Sequence, residues 1–126
     1  ANTSQCYVAL KNLEKLDEKN EKLDEIRSIY NDAFELSHTS RHLYRINVED
    51  RDSFYKEMAD KEIQVGYHYA ACHLSGGYRM AVPKSMSKSE SDAEHTVSIP
   101  FNEALSKEDA EYIVEQIKET KKVVKI

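Results

Sequence analysis

The stretch His42–Tyr69, HLYRINVEDRDSFYKEMADKEIQVGYHY, changes its apolar spacing twice, and those changes decide the fold. Leu43, Tyr44, Ile46 and Val48 give a strand over His42–Val48. Asp50 then supplies a side-chain oxygen suited to cap a helix from about Arg51 to Lys61. Phe54, Tyr55, Met58 and Ala59 fall on the side of that helix that faces a core. Ile63–Tyr69 reads as a second strand, with Gly66 permitting a bulge or a close approach of another backbone.

Upstream, Ser4 to about Phe34 has helical spacing, with Cys6, Leu10, Leu13, Leu16, Leu23, Ile26, Ile29, Tyr30, Ala33 and Phe34 recurring mostly at steps of three or four. A single helix of that extent would be about 45 Å long, well beyond an ordinary globular helix. Its middle, Asp17–Lys22, is wholly polar, so the helix either projects from the body or breaks there. The apolar first half, Cys6–Leu16, requires something to pack on. Ser37–Arg41 is a polar loop leading into the strand.

Downstream, Ser75-Gly76-Gly77 marks a turn, and Ser85 to about His95 is either a poor helix or a loop. Val97-Ser98-Ile99-Pro100 reads as a short strand ended by proline. Ser106 followed by Asp109 is a variant capping box for a last helix reaching about Lys121, with Ala110, Ile113, Val114 and Ile117 as its buried stripe. The succession predicts an α+β domain, a small sheet of three or four strands covered by helices on one face. No internal repeat and no domain boundary interrupts residues 1–126.

The 126 residues suffice for one core, and 40% hydrophobic with 33% charged residues is the composition of a folded, soluble domain. A net charge of −5 argues against a general binder of nucleic acid or anionic membrane. The C-terminal cations Lys118, Lys121, Lys122 and Lys125 suit the negative end of a helix. Cys6 and Cys72 form no C-x-x-C pair, so zinc and redox motifs are excluded, and two reduced thiols in a cytoplasmic protein are expected. No apolar run spans a membrane, and the N-terminus does not read as a signal peptide.

The densest polar-aromatic cluster is Gly66-Tyr67-His68-Tyr69-Ala70-Ala71-Cys72-His73. On an extended segment His68 and Ala70 share one face, and Tyr67 and Tyr69 the other. Imidazole and phenol groups there can hydrogen-bond phosphate or sugar oxygens, while the plainer reading is an edge strand with satisfied side chains. His68, Cys72 and His73, even with His42 or His95, do not have a recognised metal-site spacing. Adjacency of Cys72 to His73 does not by itself make a nucleophile. With three glycines in the chain, no Gly-rich phosphate loop is present.

Three blocks in order carry a resemblance. Ser4–Leu16 resembles the Gln-containing helix of the DegT/DnrJ/EryC1/StrS sugar aminotransferases. His42-Leu43-Tyr44 resembles that family's His-Leu-Tyr strand, and Gly66, His68 and Tyr69 its later Gly-x-His-Tyr segment. Val97-Ser98-Ile99-Pro100, Leu105-Ser106 and Tyr112–Lys118 are similar to its C-terminal signature. The family's prolines after His-Tyr are replaced here by Ala70, Ala71 and Cys72.

The resemblance implies the C-terminal small domain of an aspartate-aminotransferase-like, fold type I enzyme. A long connecting helix over about 4–34 would lead into an α+β body over about 40–126, with a mostly antiparallel sheet. The implied activity is pyridoxal-phosphate-dependent transfer of an amino group from glutamate or glutamine to a nucleotide-linked keto-sugar, in polysaccharide or amino-sugar biosynthesis. It implies a cytoplasmic homodimer that includes an N-terminal cofactor domain. His68, Tyr69 and His73 would line the sugar-nucleotide side, and Asn2 and Gln5 would approach the cofactor of the neighbouring subunit. No lysine here matches the Schiff-base residue, so activity and bound cofactor are not expected from these residues alone. The alternative is a stand-alone, non-catalytic domain that binds a sugar nucleotide or a protein.

Overall fold

The computed structural model describes residues 2–78 and 86–120 and the backbone of Val123–Val124. Ser85, Lys121, Lys122 and Lys125, named above, lie outside the described residues.

The expected single long helix is two: α1 (Thr3–Glu14) and α2 (Leu16–Phe34). The break falls at Lys15, whose N–H turns back to the carbonyls of Asn12 and Leu13, and not in Asp17–Lys22. That polar stretch is helical because Asp17 and Glu18 suit the positive N-terminus of α2 and Lys22 pairs with Glu18 at 3.2 Å. Lys19 reaches across to Glu103 at 3.3 Å. The helix α2 ends where Glu35 adopts a left-handed conformation, φ 55°.

β1 (Tyr44–Val48) follows, then α3 (Arg51–Asp60), whose first turn is capped by the Asp50 side chain accepting from the Ser53 N–H. α4 is Ser87–His95, β2 Thr96–Ile99, α5 Lys107–Thr120 and β3 Val123–Val124. The Ser-rich segment therefore resolves into a helix. At the start of α5 the expected box is closed, with the Asp109 N–H donating to Ser106 Oγ and the Ser106 N–H to Asp109 Oδ2, both at 3.0 Å.

The sheet has order β2-β1-β3 and is antiparallel, with Tyr44 opposite Ile99 and Ile46 opposite Val97. Alternation sends Tyr44, Ile46 and Val48 of β1 into the core with Val97 and Ile99 of β2. Ile26, Tyr30 and Phe34 of α2, Phe54 and Met58 of α3, and Ala110, Ile113 and Ile117 of α5 close that core.

Ile63–Tyr69 is not a strand. Ile63 and Val65 are buried, but the ladder amounts to one bridge, Gly66 with Ser98, in which each N–H donates to the other's carbonyl at 2.9 and 2.8 Å. The reason lies on either side of the bridge. Glu62, at φ 59°, terminates α3 in a left-handed turn four residues before it. Tyr67 leaves immediately after it to lie against Arg51.

Among the described residues, the buried apolar side chains all fall between Leu23 and Ile117. α1 contributes none, and Tyr7, Val8, Leu10, Leu13 and Leu16 stand exposed along it and its junction. Both cysteines are free and exposed. No helix among the described residues is long and apolar enough to cross a membrane.

Candidate functional site

The His/Tyr segment leaves the sheet edge at Gly66 and runs through a single turn of 3-10 helix, Cys72–Leu74, towards α4. Its residues do not keep the alternation of an extended chain. The His68 ring folds back over Gly66, so that a Cβ on Gly66 would sit 2.7 Å from His68 Cε1. The ring also meets Tyr69 edge-on, with centroids 5.0 Å apart. His68 and Tyr69 are thus neighbours in space rather than occupants of opposite faces. Tyr69 is exposed, while His68 Nδ1 is buried without a hydrogen-bond partner.

Tyr67 takes a different course. Its ring lies under the Arg51 guanidinium, 4.2 Å from the centroid, and beside Tyr55 at 5.6 Å. Partial burial raises the Tyr67 phenol above its ordinary pKa, and the Asp52 carboxylate beside it acts in the same sense. Arg51 also donates from Nη1 to the carbonyl of Ala93 in α4, so one guanidinium joins α3, the His/Tyr segment and α4.

His73 closes the segment. Its Nε2 lies 2.8 Å from Glu90 Oε1 in α4, and its side chain is only 11% exposed. The hydrogen bond from His73 holds the Glu90 carboxyl below the ordinary carboxylate range, helped by the Met86 N–H. The structure therefore brings His68 and Tyr69 into contact and ties His73 to α4. Sequence reasoning missed Arg51 and Glu90, because nothing in the Ser-rich segment marks which carboxylate meets His73.

Asn2 and Gln5 sit at the far end of the chain's elements, as the capping box of α1. The Gln5 N–H donates to Asn2 Oδ1 at 2.9 Å, and the Asn2 N–H donates to Gln5 Oε1 at 3.0 Å. Both amide oxygens are engaged and both residues are exposed, which leaves the side-chain NH2 groups as the available donors.

His42 is exposed, and His95 Nδ1 meets the Ser91 carbonyl at 2.7 Å within α4. No group of three or more His, Cys, Asp or Glu side chains among the described residues is placed to hold a metal ion. The described lysines are surface side chains, and the half-buried Lys19 and Lys61 pair with Glu103 and Glu119. Lys61 and Lys118 line open surface depressions, beside Ile63 and Asp109 and beside Ile29 and Val114 respectively.

Residues 2–118 match the DegT/DnrJ/EryC1/StrS aminotransferase family. The fold is similar to that of a DegT DnrJ EryC1 StrS aminotransferase from Brucella abortus, at 24% identity over 88% of this chain and 33% of that one, with a TM-score of 0.78. It is similar to S. venezuelae DesV at 23% identity, covering 90% of this chain and 34% of that one, TM-score 0.81. The sugar aminotransferase CalS13 from Micromonospora echinospora aligns at 23% identity over 87% and 33%, TM-score 0.77. The chain spans about a third of the length of these structures.

Proposed function

This chain belongs to the DegT/DnrJ/EryC1/StrS aminotransferase family, and from that premise we propose that it is the C-terminal small domain of a cytoplasmic, homodimeric, pyridoxal-phosphate-dependent sugar aminotransferase. The reaction is amino transfer from glutamate or glutamine to a nucleotide-linked keto-sugar destined for polysaccharide or amino-sugar biosynthesis. The observation that carries the reading is the family match across residues 2–118, in a chain a third as long as the enzymes it resembles.

The residues described do not fit the cofactor itself. Pyridoxal phosphate needs a lysine amine inside a pocket, and the described lysines lie on the surface. On the proposed reading the anchoring lysine belongs to an N-terminal cofactor domain, and no chemical step is assigned to these residues. Their part is binding and positioning. His68, Tyr69 and His73 form a wall on the sugar-nucleotide side, and the available NH2 groups of Asn2 and Gln5 face the cofactor of the neighbouring subunit. The exposed Leu10 and Leu13 of α1 pack on the cofactor domain, since a helix of 12 residues with nothing buried is marginal in water by itself.

Reading the coding sequence directly upstream of Ala1 tests this. An aminotransferase frame containing a cofactor-lysine segment is expected there. A start codon immediately before Ala1, with no such frame, would favour a stand-alone domain that binds a sugar nucleotide or a protein. One observation favours that second reading: the core closes between Leu23 and Ile117 without any contribution from α1. Calorimetric titration with a UDP- or dTDP-sugar separates its two forms, with saturable heat lost in His68→Ala indicating the sugar-nucleotide binder.

A further inference from the structure

The contact between His73 and Glu90 carries more than a tie between a loop and a helix. A carboxylate held ionised only accepts hydrogen bonds, so the 2.8 Å contact requires the proton of a neutral His73 ring to sit on Nε2. Nδ1 is then the nitrogen with a free lone pair, and it meets no partner among the described residues. Glu90 is itself placed by α4, which is held to the body through the Ala93 carbonyl and Arg51. The 3-10 turn Cys72–Leu74 brings the ring to that carboxylate.

We propose that Glu90 is the positioning residue of the candidate site: by engaging Nε2 it fixes the orientation of His73 and, in the neutral ring, its tautomer, so that Nδ1 of that neutral ring accepts a hydrogen bond from a hydroxyl of the sugar rather than donating one to phosphate. The ligand half of this rests on the reading of His73 as a substrate-facing residue. The positioning half rests on the geometry alone. A neutral imidazole whose only N–H is engaged offers a phosphate oxygen nothing, whereas a sugar hydroxyl can donate to it.

Nitrogen NMR of the labelled chain at about pH 8.5, where a free imidazole is neutral, tests the first half directly. His73 is expected to show a protonated Nε2 and a bare Nδ1. Glu90→Ala is expected to give a mixture of tautomers, with the amide signals of Tyr44–Val48 and Ile113–Ile117 unchanged. Lys88→Ala, on the same helix and 91% exposed, is the control and is expected to leave the ring as it was. A protonated Nδ1 in the wild-type chain, or a tautomer indifferent to Glu90→Ala, would overturn the assignment. So would a change in Lys88→Ala as large as in Glu90→Ala.

UDP-glucose and UDP then probe the second half. A shift of His73 Nδ1 with UDP-glucose and none with UDP supports the hydroxyl contact. An equal shift with UDP overturns it. Binding of neither probe removes the substrate-facing reading of His73, while the tautomer result still decides the role of Glu90.

Discussion

Tyr30 of α2 and Tyr44 of β1 meet edge to face, with ring centroids 4.9 Å apart, and their hydroxyl groups point to different partners. Tyr30 donates to the Pro100 carbonyl just beyond β2, and Tyr44 donates to Asn31 Oδ1 in α2, each at 2.8 Å. Asn31 Oδ1 also accepts from the His38 N–H, and its NH2 group donates to the His38 carbonyl. The pair thus fastens helix, strand and the loop before β1 at one buried point. Replacing Tyr44 with Phe keeps the ring packing and removes one hydrogen bond, and about 1 kcal/mol of stability should be lost in urea unfolding.

The same two phenols predict alkaline weakness. Burial pushes both well above the ordinary tyrosine value of 10.0. Above about pH 10 the unfolded chain releases these protons while the folded chain keeps them. The unfolded state then binds fewer protons, and stability falls as pH rises by about 1.4 kcal/mol per pH unit for each group. Below about pH 10 both phenols keep their protons in either state, so their contribution is fully present and does not vary with pH. Unfolding midpoints measured from pH 8 to 11.5 should be flat and then drop, and the double Phe variant should drop less.

Apolar residues on α1 and in the core should behave oppositely. Leu10 and Leu13 are exposed, so replacing both with Lys should change folding stability by less than about 0.5 kcal/mol. The exposed apolar stripe is expected to make the wild-type chain self-associate, and the double Lys variant is expected to be monomeric, as read by sedimentation. Phe54→Ala, at a fully buried site between sheet and helices, should cost about 3–5 kcal/mol.

Gly66 is expected to tolerate alanine in the backbone but not in the site. The added methyl would collide with the His68 ring, which can swing away, whereas no main-chain atom stands among its nearest contacts. Gly66→Ala should therefore shift the ring resonances of His68 and Tyr69 and leave the bridge to Ser98 intact in amide exchange.

The capping box of α5 offers a local check. Ser106→Ala removes the acceptor for the Asp109 N–H, and about 1 kcal/mol should be lost. The Ser106 N–H and Ser106 Oγ hydrogen bonds hold the Asp109 carboxyl below its ordinary value. In the intact chain that contribution is present above about pH 4 and disappears as pH falls through the lowered value. The variant should accordingly lose less stability on acidification.

Sequence by itself determined the elements whose causes are local. The spacing of Tyr44, Ile46 and Val48, the Asp50 and Ser106 caps, and the stripe Ala110, Ile113, Ile117 each specify an element and its buried face from within a few residues. The order of the family blocks was legible for the same reason. Tertiary structure alone decided that Ile63–Tyr69 touches the sheet at one residue, that Arg51 covers Tyr67, and that Glu90 meets His73. Those contacts join residues 15 or more positions apart, and several chemically equivalent partners exist for each. Periodicity records which face of an element avoids water, but it carries no information on which of many carboxylates a folded loop brings within 3 Å of an imidazole.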